Sequence, residues 1–247
     1  MAASMLGAVY SEQAQCQDCY RCVRECPVKA IRVTEGHATV LPERCIACGS
    51  CIAACPAGAK RVRDDLEAVE ALLQGDAPVW VSLAPSYASE FEDLDPRRLV
   101  AALRRLGFRG VSETALGAQE VSARIAQELD ATAGQVLLST ACPVVVDLVE
   151  KYLPERTALF TRVASPLLAH ARLLRARLGE GIRVVFIGPC IGKKAEALAH
   201  PGEIDAALTF ENLRAWLERE GLDPAALEPD EDDRFALGQA AEGARYP

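Results

Sequence analysis

Over residues 1–63 the apolar positions fall in short groups. Residues 31–34 and 38–41 read as strands joined by a turn at Glu35-Gly36, and the unit as two short hairpins with two small helical turns. Residues 64–73 read as a helical connector, ended by Gln74-Gly75-Asp76 ahead of Pro78. The pattern then changes. An apolar strand at 79–83 runs into Ala84-Pro85-Ser86, and 96–106 is an amphipathic helix with Pro96 in its first turn and Gly107 at its end. A helix at 116–129 is followed by a strand at 135–139, and a helix at 144–152 stops before Pro154. Residues 166–178 are helical up to Gly179, 183–187 form a buried strand, 204–210 a further strand, and 211–220 a helix ending at Gly221. Strands alternating with helices predict an α/β architecture with a largely parallel sheet, preceded by a small α+β domain. The boundaries are 1–63 for the first domain, 64–76 for the connector and 77–247 for the second. In such sheets the loops after the strand C-termini form the ligand site. Ala84-Pro85-Ser86, Thr140-Ala141-Cys142-Pro143 and Gly188-Pro189-Cys190 all occupy such positions.

At 50% apolar over 247 residues the chain can bury a sizeable core. Its formal charge of −8 speaks against a nucleic-acid partner, which calls for a basic face. No run of eighteen apolar residues occurs, and no Lys or Arg precedes Cys16 to form the basic start of an export signal. The expected location is the cytoplasm, without membrane contact. His37, His170 and His200 show no metal spacing and are expected as surface or partly buried residues. The acidic run 228–233, interrupted by Pro229, reads as a solvated loop. No glycine-rich phosphate loop is present.

The cysteines change this picture. Eight of ten lie in the first 55 residues. Cys16, Cys19, Cys22 and Cys26 precede Pro27, giving C-x2-C-x2-C-x3-C-P, and Cys45, Cys48, Cys51 and Cys55 precede Pro56 in the same pattern 29 residues on. The match extends through Ala30/Ala59, Arg32/Arg61 and Val33/Val62, so the unit is an internal duplication. Eight cysteines could also form a disulfide framework, which suits a short secreted chain, or four-cysteine zinc sites, whose cysteine pairs are usually split by a longer spacer. The double run resembles the bacterial ferredoxin signature for two [4Fe–4S] clusters, in which the fourth cysteine of each run crosses over. That resemblance implies one cluster on Cys16, Cys19, Cys22 and Cys55, and another on Cys45, Cys48, Cys51 and Cys26. Three thiolates two residues apart can wrap a cubane, with loop amides turned toward the sulfurs. Residues 1–64 carry a net +2 while the remainder carries −10. Arg21, Arg24, Lys29, Lys60 and Arg61 either offset the anionic clusters or are ordinary solvated charges.

The last two cysteines, Cys142 and Cys190, each adjoin a proline. Ser139-Thr140-Ala141-Cys142-Pro143 resembles the first cluster-binding motif of the [FeFe]-hydrogenase family, and Pro189-Cys190-Ile191-Gly192-Lys193-Lys194-Ala195-Glu196 the second. Ala84-Pro85-Ser86 and 103–117 are similar to further stretches of the same family. The resemblance implies a two-lobed hydrogenase-like domain in which Cys142 and Cys190 ligate a cubane of the H-cluster. Lys193 would reach a cyanide ligand of its two-iron subsite, and Ser86 would offer polar contacts. It also implies electron transfer through the two N-terminal clusters to or from a redox partner such as a ferredoxin. Two features depart from the family. Ala141 stands where catalytic members carry a proton-relaying cysteine, as in the sensory-like branch, and no cysteine follows Cys190 although the third motif supplies two. The chain therefore reads as C-terminally truncated, with further signalling or Fe–S domains expected in a longer product. The alternatives are an H2-converting enzyme or sensor, and a non-catalytic electron carrier or Fe–S scaffold.

Overall fold

The computed structural model describes residues 7–132 and 134–240; the outermost parts of the two expected domains, 1–6 and 241–247, lie outside the described residues. The N-terminal unit begins with β1 (Val9–Ser11), a helical turn α1 (Arg21–Glu25) and the strands β2 (Ile31–Thr34) and β3 (His37–Val40). A second helical turn, α2 (Ser50–Ala53), and β4 (Lys60–Val62) complete it. β2 and β3 form the expected hairpin, with Ile31 opposite Val40 and Thr34 opposite His37. The second expected hairpin is instead a ribbon between distant segments: β1 pairs antiparallel with β4, Val9 opposite Val62. The unit's ends are thus tied together, and its own core forms around Val9, Ala30, Ala38, Val40 and Ile46.

The connector forms α3 (Leu66–Leu73). The second domain follows with β5 (Val79–Leu83), the short α4 (Tyr87–Glu90), α5 (Pro96–Arg105), β6 (Gly110–Glu113) and α6 (Thr114–Ala131). Then come α7 (Pro143–Tyr152), α8 (Pro166–Leu178), β7 (Arg183–Ile187), α9 (Ile191–Ala199), β8 (Ala206–Leu208) and α10 (Phe210–Arg219). The four strands make one parallel sheet in the order β6-β5-β7-β8. Val81, Leu83, Val111, Val184, Val185 and Ile187 are buried because helices cover both faces of a parallel sheet. β6, a strand the sequence pattern did not predict, begins at Gly110 for a steric reason: a Cβ there would stand 2.4 Å from the Trp80 ring.

Three expectations are corrected. The strand at 135–139 is absent; one parallel bridge, Leu138 to Phe160, takes its place. His170 is fully buried in α8 rather than partly buried or at the surface, its Nδ1 2.7 Å from Ser82 Oγ and its Nε2 3.0 Å from Ser112 Oγ. The acidic run is a solvated loop only in part: Glu228, Asp230, Glu231 and Asp232 are exposed, but Asp233 is buried, and its carboxylate accepts from Arg104 Nη1 at 2.5 Å and from the Asp230 amide at 2.9 Å. Those bonds hold its carboxyl below the ordinary aspartate range in spite of burial. The following segment closes the edge of β6, where the Ala236 amide donates to Val111 O at 2.8 Å and the Ala240 amide to the buried Glu113.

Candidate functional site

The two cysteine loops share one backbone shape. Asp18 and Ala47, Tyr20 and Gly49, and Lys29 and Gly58 are equivalent across the 29-residue repeat, and all six have positive φ between 52° and 82°. The four of these residues other than Gly would avoid that region if left free, so its recurrence at matching positions means the loop geometry is imposed in both copies. The result turns amides toward sulfur. Ala30 donates to Cys26 Sγ at 3.2 Å, Ala59 to Cys55 Sγ at 3.2 Å and Ala47 to Cys45 Sγ at 3.3 Å. Such bonds favour thiolate, the ligating form.

The thiols sort into two sets. Cys26, Cys45, Cys48 and Cys51 line one cavity. Burial pushes the Cys51 thiol up to about 12, and the neighbouring Cys45, Cys48 and Cys26 push in the same direction. Cys45 is raised by burial too, with Cys48 and Cys26 beside it. In the other set burial raises Cys22, whose neighbours are Cys55 and Cys16. Cys55 differs: burial pushes it up, yet the amides of Lys60, Ala59 and Ala57 bring it below the usual thiol value. Cys19 is exposed at the rim of that loop. The last cysteine of the first run therefore sits with the first three of the second, and Cys55 sits with Cys16 and Cys22. Among the described residues all ten cysteines are free, and no three ligand-type side chains converge on a single ion. Thiols gathered around a cavity, but held apart, fit a polynuclear cluster better than a mononuclear zinc ion.

In the second domain, Cys142 caps the start of α7 and Cys190 the start of α9. The two helix starts adjoin. A Cβ on Gly192 would stand 2.8 Å from Val144 Cγ2 and 3.2 Å from Pro143 Cγ. Lys193 Nζ crosses the same gap to donate to Ala141 O at 3.2 Å, and pairs with Glu196 at 2.8 Å. The Ala84-Pro85-Ser86 loop lies beside the Cys190 loop: the Ala84 amide donates to Ile187 O at 2.8 Å, and a Cβ on Gly188 would meet Ala84 Cβ at 2.5 Å. Ser86 starts α4, but among the described residues no hydrogen bond joins it to Lys193 or Cys142. Cys142 is exposed and Cys190 half-buried. These two are the only cysteines of the second domain, so they fit half the ligand set of a cubane.

Lys194 is not a surface charge of the helix start. It is 1% exposed, donates to Asp65 Oδ2 at 2.8 Å and also bonds to Ala207 O. Burial lowers its pKa, and Asp65 opposes that shift. Sequence reasoning missed Asp65, named Glu196 only as part of the second motif and not as the partner of Lys193, and did not foresee the burial of His170. The only available signal was Glu196, three residues after Lys193 on one helix.

The two units touch around the cavity of Cys26, Cys45, Cys48 and Cys51. Lys151 Nζ donates to Cys45 O at 2.7 Å, and Tyr152 Oη to Arg44 O at 2.7 Å. Ile191, next to Cys190, lies so close to Gly49 that a Cβ there would be 3.0 Å from its Cδ1.

Residues 77–247 match the family model of the iron only hydrogenase large subunit, C-terminal domain, and residues 8–56 that of the 4Fe-4S dicluster domain. Solved structures with the same fold include a HydA(deltaEFG) described as revealing stepwise [FeFe]-hydrogenase H-cluster assembly. It is 24% identical over 68% of this chain and 50% of its own, with a TM-score of 0.55. A variant of the [FeFe]-hydrogenase HydA1 from Chlamydomonas reinhardtii is 24% identical over 69% of this chain and 51% of its own, at TM-score 0.55. Another HydA1 variant from that organism, also 24% identical, reaches 0.56 over 71% of this chain and 52% of its own. The chain thus spans about half the length of the structures it matches. No curated protein matches it.

Proposed function

We propose, from the premise that the chain belongs to the iron-only hydrogenase large-subunit family, that it conducts electrons between a redox partner and the Cys142/Cys190 site through two [4Fe–4S] clusters. The clusters are assigned to Cys16, Cys19, Cys22 and Cys55, and to Cys26, Cys45, Cys48 and Cys51. The contact of Ile191 with Gly49 carries this reading, because it brings the second set to the backbone beside Cys190. The first set has exposed Cys19 and Tyr20 at its rim, where a ferredoxin-like partner can approach. Bound there, the two clusters would supply one-electron transfer from the exposed rim of the first set toward the start of α9, which Ile191 brings against the loop of the second.

Bound at the second site, an H-cluster would supply the chemistry that interconverts H2 with protons and electrons. Cys142 and Cys190 provide two of the thiolates it needs, so no catalytic step is assigned to these 247 residues. Lys193 is held between Ala141 O and Glu196 as a fixed cation at the gap between the two cysteine-bearing helix starts, suited to an anionic ligand. Ala141 offers only a methyl group beside Cys142 and has no proton to transfer, which favours the sensory-like branch over fast turnover. A scaffold role is the second reading, favoured by the exposure of Cys142. Anaerobic reconstitution tests the proposal: the chain should bind about eight iron and eight sulfide in its first 76 residues, as two cubanes require. Zinc in place of iron, or a single cluster, would refute it.

A further inference from the structure

The 29-residue repeat breaks at one buried pair. Ile31 and Lys60 hold the same place in the two halves, each opening a strand just after a Cys-Pro loop, and they are 8% and 3% exposed. An isoleucine there needs no explanation. A lysine does. Its Nζ donates to Ser11 Oγ at 2.8 Å and to Ala38 O at 2.5 Å, both neutral acceptors. Among the described residues no carboxylate lies within ion-pair distance of it. A buried cation with only neutral partners is costly unless an anion stands nearby. The groups able to supply one are thiols: Lys60 directly follows Ala59, whose amide donates to Cys55 Sγ at 3.2 Å, and Cys22 and Cys51 are buried with it in the same small unit. Cys22 and Cys55 belong to the outer set and Cys51 to the inner.

We propose that Lys60 is the electrostatic tuning residue of the pair of clusters, raising the reduction potential of the outer one above that of the inner. The inference rests on the two-cluster reading given above. Reduction adds one negative charge to a cluster, and a fixed cation in a poorly screened interior favours the reduced form, most at the nearer cluster. Where Ile31 stands, the other half of the repeat has no such charge. The asymmetry gives the relay a direction. With both clusters bound, an electron would rest on the outer one, beside the exposed rim where a partner can donate or reclaim it, and would move inward only when the second site draws it.

The test uses the full 247-residue chain, reconstituted anaerobically, with Lys60→Met, Lys60→Gln and Lys60→Arg. Iron and sulfide are counted first, and each cluster's potential is then read by EPR-monitored redox titration. Cys16→Ser marks the outer signal. With both clusters retained, the two neutral variants should lower the reduced-to-oxidised ratio of the outer cluster at least tenfold at fixed potential, about 59 mV for one electron. The inner cluster should shift less, and Lys60→Arg should stay near the parent. Unmoved potentials, equal shifts of both clusters or an upward shift would overturn the proposal. If neither neutral variant assembles clusters but Lys60→Arg does, the charge requirement stands; if Lys60→Arg fails too, the residue is a packing element and the proposal falls. A parent chain that binds zinc or one cluster overturns the two-cluster reading itself, and the tuning role with it.

Discussion

Enclosed between Ser82 and Ser112, with Thr114 bonded to Ser82 at 2.8 Å, His170 has no solvent to share a second proton. Burial takes its pKa from 6.5 down to about 3. A depressed folded pKa contributes stability that is present above the unfolded value and lost as pH falls from 6.5 toward 3. Between pH 7 and pH 5 the loss should be about 2 kcal/mol. Chemical denaturation at the two pH values should show that slope in the parent and lack it in His170→Gln. Lys194 and Asp65 pose a different case, a buried ion pair joining α9 to the exit of the N-terminal unit. Asp65 also pairs with Arg63 Nε at 2.7 Å, so it is Lys194 that is left charged and dry when its partner is removed, at a cost of about 3–5 kcal/mol. Asp65→Asn should therefore lower stability strongly, and adding Lys194→Met to it should restore part of the loss. A double variant no better than the single one would contradict the pairing. Residues of this kind are not legible in sequence. The eight N-terminal cysteines are, because a repeated spacing is itself the signal, whereas the burial of His170, Lys194 or Asp233 depends on partners contributed by distant segments.

At the scale of elements, the strands and helices that carry long apolar runs or clear caps were readable. The helices expected at 96–106 and 166–178 form as Pro96–Arg105 and Pro166–Leu178, each with proline in its first turn and a side-chain cap from Asp95 or Ser165. Residues 135–139 have an apolar pattern but no strand on either side, so they make one bridge and remain otherwise irregular. β1 and β4 escaped because three-residue strands have too few positions for a period to show. Close helix contacts escaped as well, and two glycines test them. Gly117 lies where α6 meets α8, and a Cβ would be 2.2 Å from Pro166 O. Gly117→Ala gains helix propensity of about 1 kcal/mol, but that clash is with backbone and should win, for a net loss of about 1–3 kcal/mol. Gly192→Ala meets Val144 and Pro143 instead, where α9 crosses the start of α7. It should move the Cys190 helix away from the Cys142 helix with little effect on the N-terminal clusters. Cysteine crosslinking with a short bifunctional reagent should join Cys142 and Cys190 less readily in that variant; unchanged crosslinking would mean that Gly192 does not set their approach.

For the molecule as a whole, the outcome depends on counting ligands. The family resemblance was legible because its motifs are short local strings around Cys142 and Cys190, and both strings lie at helix starts that adjoin in space. What the strings cannot supply is the rest of the coordination sphere. A cubane needs four protein ligands, and the 247 residues offer two in this domain. Water or a small thiol can occupy an open corner, but neither fixes a two-iron subsite in position, and positioning governs metal reactivity. Exposure of Cys142 also leaves the site wet, which weakens the electrostatic help Lys193 can give. We therefore predict that the 247-residue chain, fully loaded with its two N-terminal clusters, accepts electrons from reduced viologen but sustains no H2 production. Gas chromatography of the headspace, alongside stopped-flow bleaching of the viologen, separates the two halves of the statement. Rapid bleaching without H2 is the expected result. Continuous H2 evolution would show that two cysteines suffice and would overturn the ligand argument, whereas absence of bleaching in a chain with about eight bound iron would overturn the electron relay.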